Sequence, residues 1–202
     1  MTKKTKEAIL MILIMILVFK IFLEPFVVYQ PQQPDQALAN FAGGLRQGIA
    51  RQVVGVYSQD VMAFPVWQQP YHEFSFVYNQ PAVVTEYRPA RDATGNIGLM
   101  AHNNMAGKQF YKLDVGSVVS VVFGDGSVSH FQVVEVQRYQ IINDYEVLDL
   151  QTGQVTGTGN VFYLVYGGDY RLVFQTCITK DGNPEWGRMF WIAKPYDIGG
   201  GV

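Results

Sequence analysis

Cys177 is the only cysteine in the chain's 202 residues, and it closes the run Leu172-Val173-Phe174-Gln175-Thr176-Cys177. A thiol of ordinary pKa is mostly protonated at neutral pH, so a nucleophilic cysteine needs a base or a cation beside it. The base would be one of three histidines, His72, His102 and His130. His72 falls in the polar stretch Gln68-Gln69-Pro70-Tyr71-His72-Glu73, which reads as a loop. His130 follows Ser129 inside a hairpin strand, the usual place of a structural histidine. His102 follows Gly98-Leu99-Met100-Ala101 and opens the polar turn Asn103-Asn104, so it stands at a strand terminus.

The cation would be Arg171 or Arg188. Arg171 shares the strand of Cys177 but lies six residues away, roughly 20 Å in an extended chain, beyond side-chain reach. Arg188 begins the strand after the loop Thr179-Lys180-Asp181-Gly182-Asn183-Pro184. If the flanking strands are neighbours, it returns to Cys177 and can donate to a substrate carbonyl or a developing oxyanion. The plainer reading pairs it with Glu185 or Asp181 at the surface, as the plainer reading of Cys177 is a small core hydrophobe.

The elements that would hold these residues are mostly strands. Short apolar or aromatic runs cover Val53 to Tyr57, Phe74 to Tyr78, Ala82 to Tyr87, Ile97 to Ala101, Val118 to Phe123 and Val128 to Val136. Val161 to Tyr166, Arg171 to Ile178 and Met189 to Ala193 complete the set. Gly124-Asp125-Gly126-Ser127 is a hairpin turn, because Asp-Gly accepts positive φ. Many short strands with regular turn signals predict a β-barrel or a sandwich. One short helix is expected after Asp35, a plausible N-cap, with Leu38, Phe41, Ala42 and Leu45 at helical spacing. Gly43 and Gly44 weaken it by about 1 kcal/mol each relative to alanine.

Ahead of that helix, Lys3, Lys4 and Lys6 precede a run from Ala8 to Leu23 that is apolar except for Lys20. A spanning helix needs about 20 apolar residues, and Phe26-Val27-Val28-Tyr29 extends the contact. Lys20 can snorkel to the headgroups. The basic residues before the run put the N-terminus inside and the domain outside. The nearest small-x-small site, Ala37-Leu38-Ala39, is far beyond the run, which favours an uncleaved signal-anchor over a cleaved signal peptide. Gln30-Pro31-Gln32-Gln33-Pro34 reads as an extended linker. The expected organisation is a signal-anchor over 1–28, a stem with the short helix and first strand over 29–72, a barrel over 73–196 and a Gly-rich tail over 197–202. The net charge of −2 gives no basis for nucleic-acid binding, and one cysteine cannot form an internal disulfide or a thiolate zinc site.

His102, Cys177 and Arg188 in this order resemble the sortase family, the membrane-bound cysteine transpeptidases of bacterial cell surfaces. That family carries one strand ending in a Thr-Leu-x-Gly-His-like motif, another ending in Thr-Leu-x-Thr-Cys, and an arginine on the next strand. Gly98-Leu99-Met100-Ala101-His102 is similar to the first and Val173-Phe174-Gln175-Thr176-Cys177 to the second. Arg188 leads into Met189-Phe190-Trp191-Ile192-Ala193-Lys194-Pro195, similar to the closing strand. Ala101 stands where the family has glycine, and Val173-Phe174-Gln175 replaces Thr-Leu-x, so the resemblance is to a divergent member.

The resemblance implies a sortase-like closed β-barrel with short helices behind one N-terminal transmembrane helix. It implies a Cys177 nucleophile, His102 as proton donor and acceptor, Arg188 and backbone N–H groups at the oxyanion, and Thr176 as a candidate for positioning substrate. The implied partners are secreted proteins with a C-terminal sorting motif and an amine from a cell-wall precursor or a pilin lysine. No cofactor or metal is required. Asp144, Glu146 and Asp149 fall where some sortases bind calcium, but three scattered acids read as a solvated loop. Two other classes stay open: another cell-wall cysteine peptidase, and a non-catalytic anchored barrel that binds a surface partner.

Overall fold

The computed structural model describes residues 35–198. The expected signal-anchor and the Gln30-to-Pro34 linker lie outside the described residues. Among the described residues, no helix is long and apolar enough to cross a membrane.

Ten strands form one sheet: β1 (Val53–Ser58), β2 (Met62–Gln68), β3 (Val84–Glu86), β4 (Ile97–Met100), β5 (Val118–Phe123), β6 (Val128–Ile141), β7 (Glu146–Asp149), β8 (Val155–Gly157), β9 (Leu172–Lys180) and β10 (Asn183–Pro195). Their order is β10-β9-β4-β3-β2-β1-β5-β6, and β6 pairs back onto β10, so eight strands close a barrel. β7 and β8 continue the ladder outward from the far end of β6. The sheet is mostly antiparallel; β2–β3 and β4–β9 are its parallel pairs. Closure pairs both sides of each stave and removes the exposed edges of an open sheet. The barrel takes in β1 and β2, two staves from within the segment expected as a stem.

Alternation along the strands divides the apolar residues between two faces. Leu172 and Phe174 of β9, Met189, Trp191 and Ala193 of β10, and Ile97 and Leu99 of β4 fill the interior. Phe110 and Leu113, from the segment after His102, join that core. Phe110 packs on Phe174 with centroids 4.9 Å apart, and the Trp191 indole donates to the Leu113 carbonyl at 2.9 Å. Val173, Phe190 and Ile192 point outward and are covered by a helix.

Among the described residues, four helices lie against the barrel: α1 (Gln36–Leu45), α2 (Arg88–Thr94), α3 (Gly107–Phe110) and α4 (Thr158–Tyr166). The expected α1 forms where its pattern places it. Asp35 caps it, accepting from the Ala37 and Leu38 amides, and Leu38, Phe41, Ala42 and Leu45 pack on Val54 and Val122. The tyrosine hydroxyl of Tyr57 on β1 also donates to Asp35, at 2.5 Å.

Two expected strands are absent. Val161 to Tyr166 is helical: Val161, Val165 and Tyr166 are buried while Tyr163 and Leu164 are exposed, a burial period of 3.6 rather than 2. Its β-branched and aromatic composition points to strand, but packing on the outer face of β9 and β10 overrides that preference. Phe74 to Tyr78 forms no strand either. Its rings stack among themselves and on Trp67, and the Tyr78 amide is satisfied by the Thr85 side chain instead of a ladder. β2 escapes a reading from sequence because Pro65 interrupts it; β3 pairs only with Val66–Gln68, so Pro65 stands where a neighbour is missing.

Candidate active site

β9 does not end at Cys177. It continues to Lys180, and a two-residue turn, Asp181-Gly182, joins it to β10. Both turn residues have positive φ, 52° and 79°, the type I′ geometry that matches strand twist and that Asp-Gly accepts. The hairpin register sets Arg188 directly opposite Cys177. Phe174 and Thr176 face the interior, so Cys177 faces outward, as does Arg188 between the inward Gly187 and Met189. The two strands are therefore the neighbours that the sequence reading required, and the cation faces the thiol across them.

β4 flanks β9 on its other side in parallel, with Met100 beside Gln175. The Ala101 amide extends this ladder to the Gln175 carbonyl at 3.3 Å. One more step along each chain brings His102 level with Cys177, and alternation gives both the outward face. His102 is half-buried, and its ring makes no hydrogen bond among the described residues. Its backbone carbonyl accepts from Met105 and Gly107, which turns the chain away from β9.

That turn leaves β9 without a ladder partner on this side beyond Ala101. Two side chains take over. The Tyr111 hydroxyl donates to the Cys177 carbonyl at 2.6 Å, and the Asn103 carboxamide donates to the Thr179 hydroxyl at 2.8 Å. Gly107 permits the tight return, because a Cβ there would sit 2.5 Å from the Thr176 hydroxyl and 2.7 Å from the Ala101 and His102 carbonyls.

Thr176 is 3% exposed, and its hydroxyl donates to the Ala101 carbonyl at 2.7 Å. It ties the strand of Cys177 to the strand of His102. Alternation explains this, since Thr176 shares a face with the core residues Leu172 and Phe174.

The other residues weighed from sequence lie elsewhere. Arg171 donates to the Asp169, Leu164 and Val165 carbonyls around the C-terminal end of α4. His130 pairs with Ser120 across β5 and β6, with its Nδ1 at 2.9 Å from the hydroxyl, and burial holds its pKa down. His72 sits in a loop between Tyr71 and Phe74. Asp149 accepts from the Gln151 and Thr152 amides in the β7–β8 turn, and Glu146 accepts from Asn143.

Electrostatics at the thiol are opposed. Burial pushes the Cys177 pKa up, the Arg188 guanidinium pulls it down, and Glu185 pushes it up again. Glu185 lies 3.7 Å from Arg188 and is largely exposed, so solvent screens that ion pair. The Tyr111 phenol is also raised, by burial first and then by the neighbouring Cys177 charge. At Cys177 burial outweighs the cation, so the pKa of the thiol lies above its usual value.

A cavity of about 390 Å³ opens on this outward face. Gln175 and Arg188 form its wall nearest Cys177; Phe190, Tyr139, Phe162 and Tyr166 form its apolar body; Asn143 and Asp144, between β6 and β7, form part of its rim. Cys177 and His102 do not line it, but Cys177 lies two residues beyond Gln175 on the same strand and face. The sequence reading left Gln175, Tyr111 and Asn103 without a role. Only Gln175 carried a signal, its even spacing from Cys177.

No family model and no curated relative matches this sequence. Among solved structures, it is similar to sortase A of Listeria monocytogenes at 16% identity, TM-score 0.46, over 72% of this chain and 88% of that one. It is similar to sortase C1 of Streptococcus agalactiae at 15% identity, TM-score 0.46, over 80% and 81%. It is also similar to sortase C of Clostridium perfringens SM101 at 10% identity, TM-score 0.45, over 81% and 85%.

Proposed function

We propose that this protein is a sortase-like cysteine transpeptidase. The observation that carries the reading is the register Cys177↔Arg188 on the outward face, next to the end of the strand that leads into His102. A buried structural cysteine needs neither neighbour.

In the proposed reaction, the Cys177 sulfur bonds to a backbone carbonyl carbon of a sorting motif as its thiol proton passes to His102. Arg188 donates to the carbonyl oxygen as negative charge develops there. The amide C–N bond then breaks, and His102 returns the proton to the leaving amine. A thioester remains on Cys177. An incoming amine attacks it, loses a proton to His102, and leaves with a new amide as the thiol re-forms. The acceptor is an amine from a cell-wall precursor or a pilin lysine. Lys3, Lys4 and Lys6 ahead of an apolar run support a bacterial single-pass anchor, with the N-terminus cytoplasmic and the barrel outside.

The test uses the full chain in detergent, short sorting-motif peptides and a glycine-based amine. Intact-mass measurement should find an acyl adduct on the wild type that is absent from Cys177→Ala and that the amine converts to a new amide. Arg188→Ala should lose most of the turnover. Turnover retained in Cys177→Ala would end the proposal.

A further inference from the structure

Gln175 and Tyr166 meet in the cavity beside Cys177. The Tyr166 hydroxyl donates to Gln175 Oε1 at 2.6 Å. Tyr166 is buried, and burial raises its pKa well above 10, so its hydroxyl keeps its proton over the working pH range. Tyr166 is itself fixed, because the Asn96 side chain donates to its backbone carbonyl at 2.7 Å. A carboxamide whose oxygen is engaged by a permanent donor has one orientation, with its two N–H donors pointing away from that partner. The Gln175 Nε2 group has no hydrogen-bond partner among the described residues, and Gln175 lines the cavity.

We infer that Gln175, oriented by Tyr166, is a specificity-determining residue that selects a substrate residue bearing a neutral hydrogen-bond acceptor, an Asn or Gln side chain. The inference rests on the transpeptidase reading. The cavity body of Phe162, Phe190 and Ile141 suits the methylene stem of such a side chain, and the donors of Gln175 match its carbonyl. An aliphatic side chain would bury those donors unpaired, which costs more than a missing attraction. A carboxylate is disfavoured by Asp144 and Glu185, since the one arginine on the wall, Arg188, faces Glu185. Gln175 is two residues from Cys177 along β9, roughly 7 Å, so the selected residue lies outside the scissile pair.

The experiment uses the full chain in detergent and a randomised peptide library. Each position is fixed in turn as Asn, Gln, Leu, Glu or Lys, and the adduct on Cys177 is read by mass. The wild type should favour Asn or Gln at one position by about tenfold over Leu. Gln175→Leu should move that preference to Leu. Gln175→Glu still accepts from Tyr166 but offers acceptors in place of donors, so it should favour Lys. Tyr166→Phe frees the carboxamide to rotate and should weaken the wild-type preference. Adducts with the same preference in all four proteins would overturn this inference and leave the transpeptidase reading standing. No adduct on the wild type with any peptide would overturn both.

Discussion

The Tyr111 hydroxyl donates to the backbone carbonyl of Cys177 at 2.6 Å, across 66 positions of sequence. The bond stands where β4 has turned away and that side of β9 has no ladder partner. Tyr111 follows α3, whose last residue, Phe110, is locked in the interior against Phe174 and Trp191. The tyrosine therefore transmits the rigidity of the core to the backbone of the candidate nucleophile. It acts through Cys177 and is a positioning residue. Tyr111→Phe keeps the ring and its edge-on contact with Trp191 and removes only the hydroxyl. One hydrogen bond is worth about 1 kcal/mol, so the expected fall in kcat is roughly fivefold with KM unchanged. Steady-state kinetics with an accepted peptide would check this, and an equal rise in KM would contradict the positioning role.

Thr176 joins the two halves of the site. Its buried hydroxyl donates to the Ala101 carbonyl, one residue before His102. Thr176→Val preserves shape and strand propensity but leaves that carbonyl without its donor. The expected destabilisation is about 1–3 kcal/mol, seen as a lower urea midpoint with an unchanged m-value. Thr176→Ser retains the donor and should recover most of the loss.

The sequence singles out His102 from the end of β4, and Cys177 and Arg188 from facing strands of one hairpin. Asp181-Gly182 fixes the β9–β10 turn, but an irregularity between Asn183 and Gly187 shifts the register, and that shift, which no local turn rule carries, puts Arg188 opposite Cys177. Thr176 was also decidable, since alternation puts it with Phe174 and Leu172 on the core face. Tyr111 was not, because its partner is reached only once the chain has folded around Phe110. Nor was the helical state of Val161 to Tyr166, where only the outer face of β9 and β10 reveals the burial period. The closure of β6 onto β10 depends on contacts between strands distant in sequence, which no local pattern carries.

Gly107 has no room for a side chain beside the His102 turn. A Cβ would press on the Ala101 and His102 carbonyls, which are backbone atoms and cannot rotate aside. Gly107→Ala should cost about 1–3 kcal/mol through overpacking. The strain falls on the His102 turn, so activity should fall by more than the loss of stability explains. Comparing turnover well below the melting temperature with the urea midpoint separates the two effects. A variant that is destabilised but fully active when folded would show that the turn relaxes without moving His102.

Alkylation of Cys177 should report the opposed charges directly. The thiolate is the reactive form, so the rate rises with pH through the thiol pKa. Burial sets that pKa above its usual value, Arg188 lowers it and Glu185 raises it. Arg188→Gln should therefore move the alkylation midpoint to higher pH. Glu185→Gln should move it lower, both by removing its own charge and by releasing Arg188 from its pair. The same shift fixes a sign for stability. Because the folded pKa is raised, the contribution of Cys177 is fully present below the ordinary thiol value and is lost as pH climbs through the folded value, where the unfolded chain has already released its proton. Cys177→Ser should flatten that alkaline decline in urea unfolding curves. A midpoint that stays put in both charge variants would mean that solvent screens Arg188 and Glu185 from the sulfur, and that Arg188 serves the site through hydrogen bonding alone.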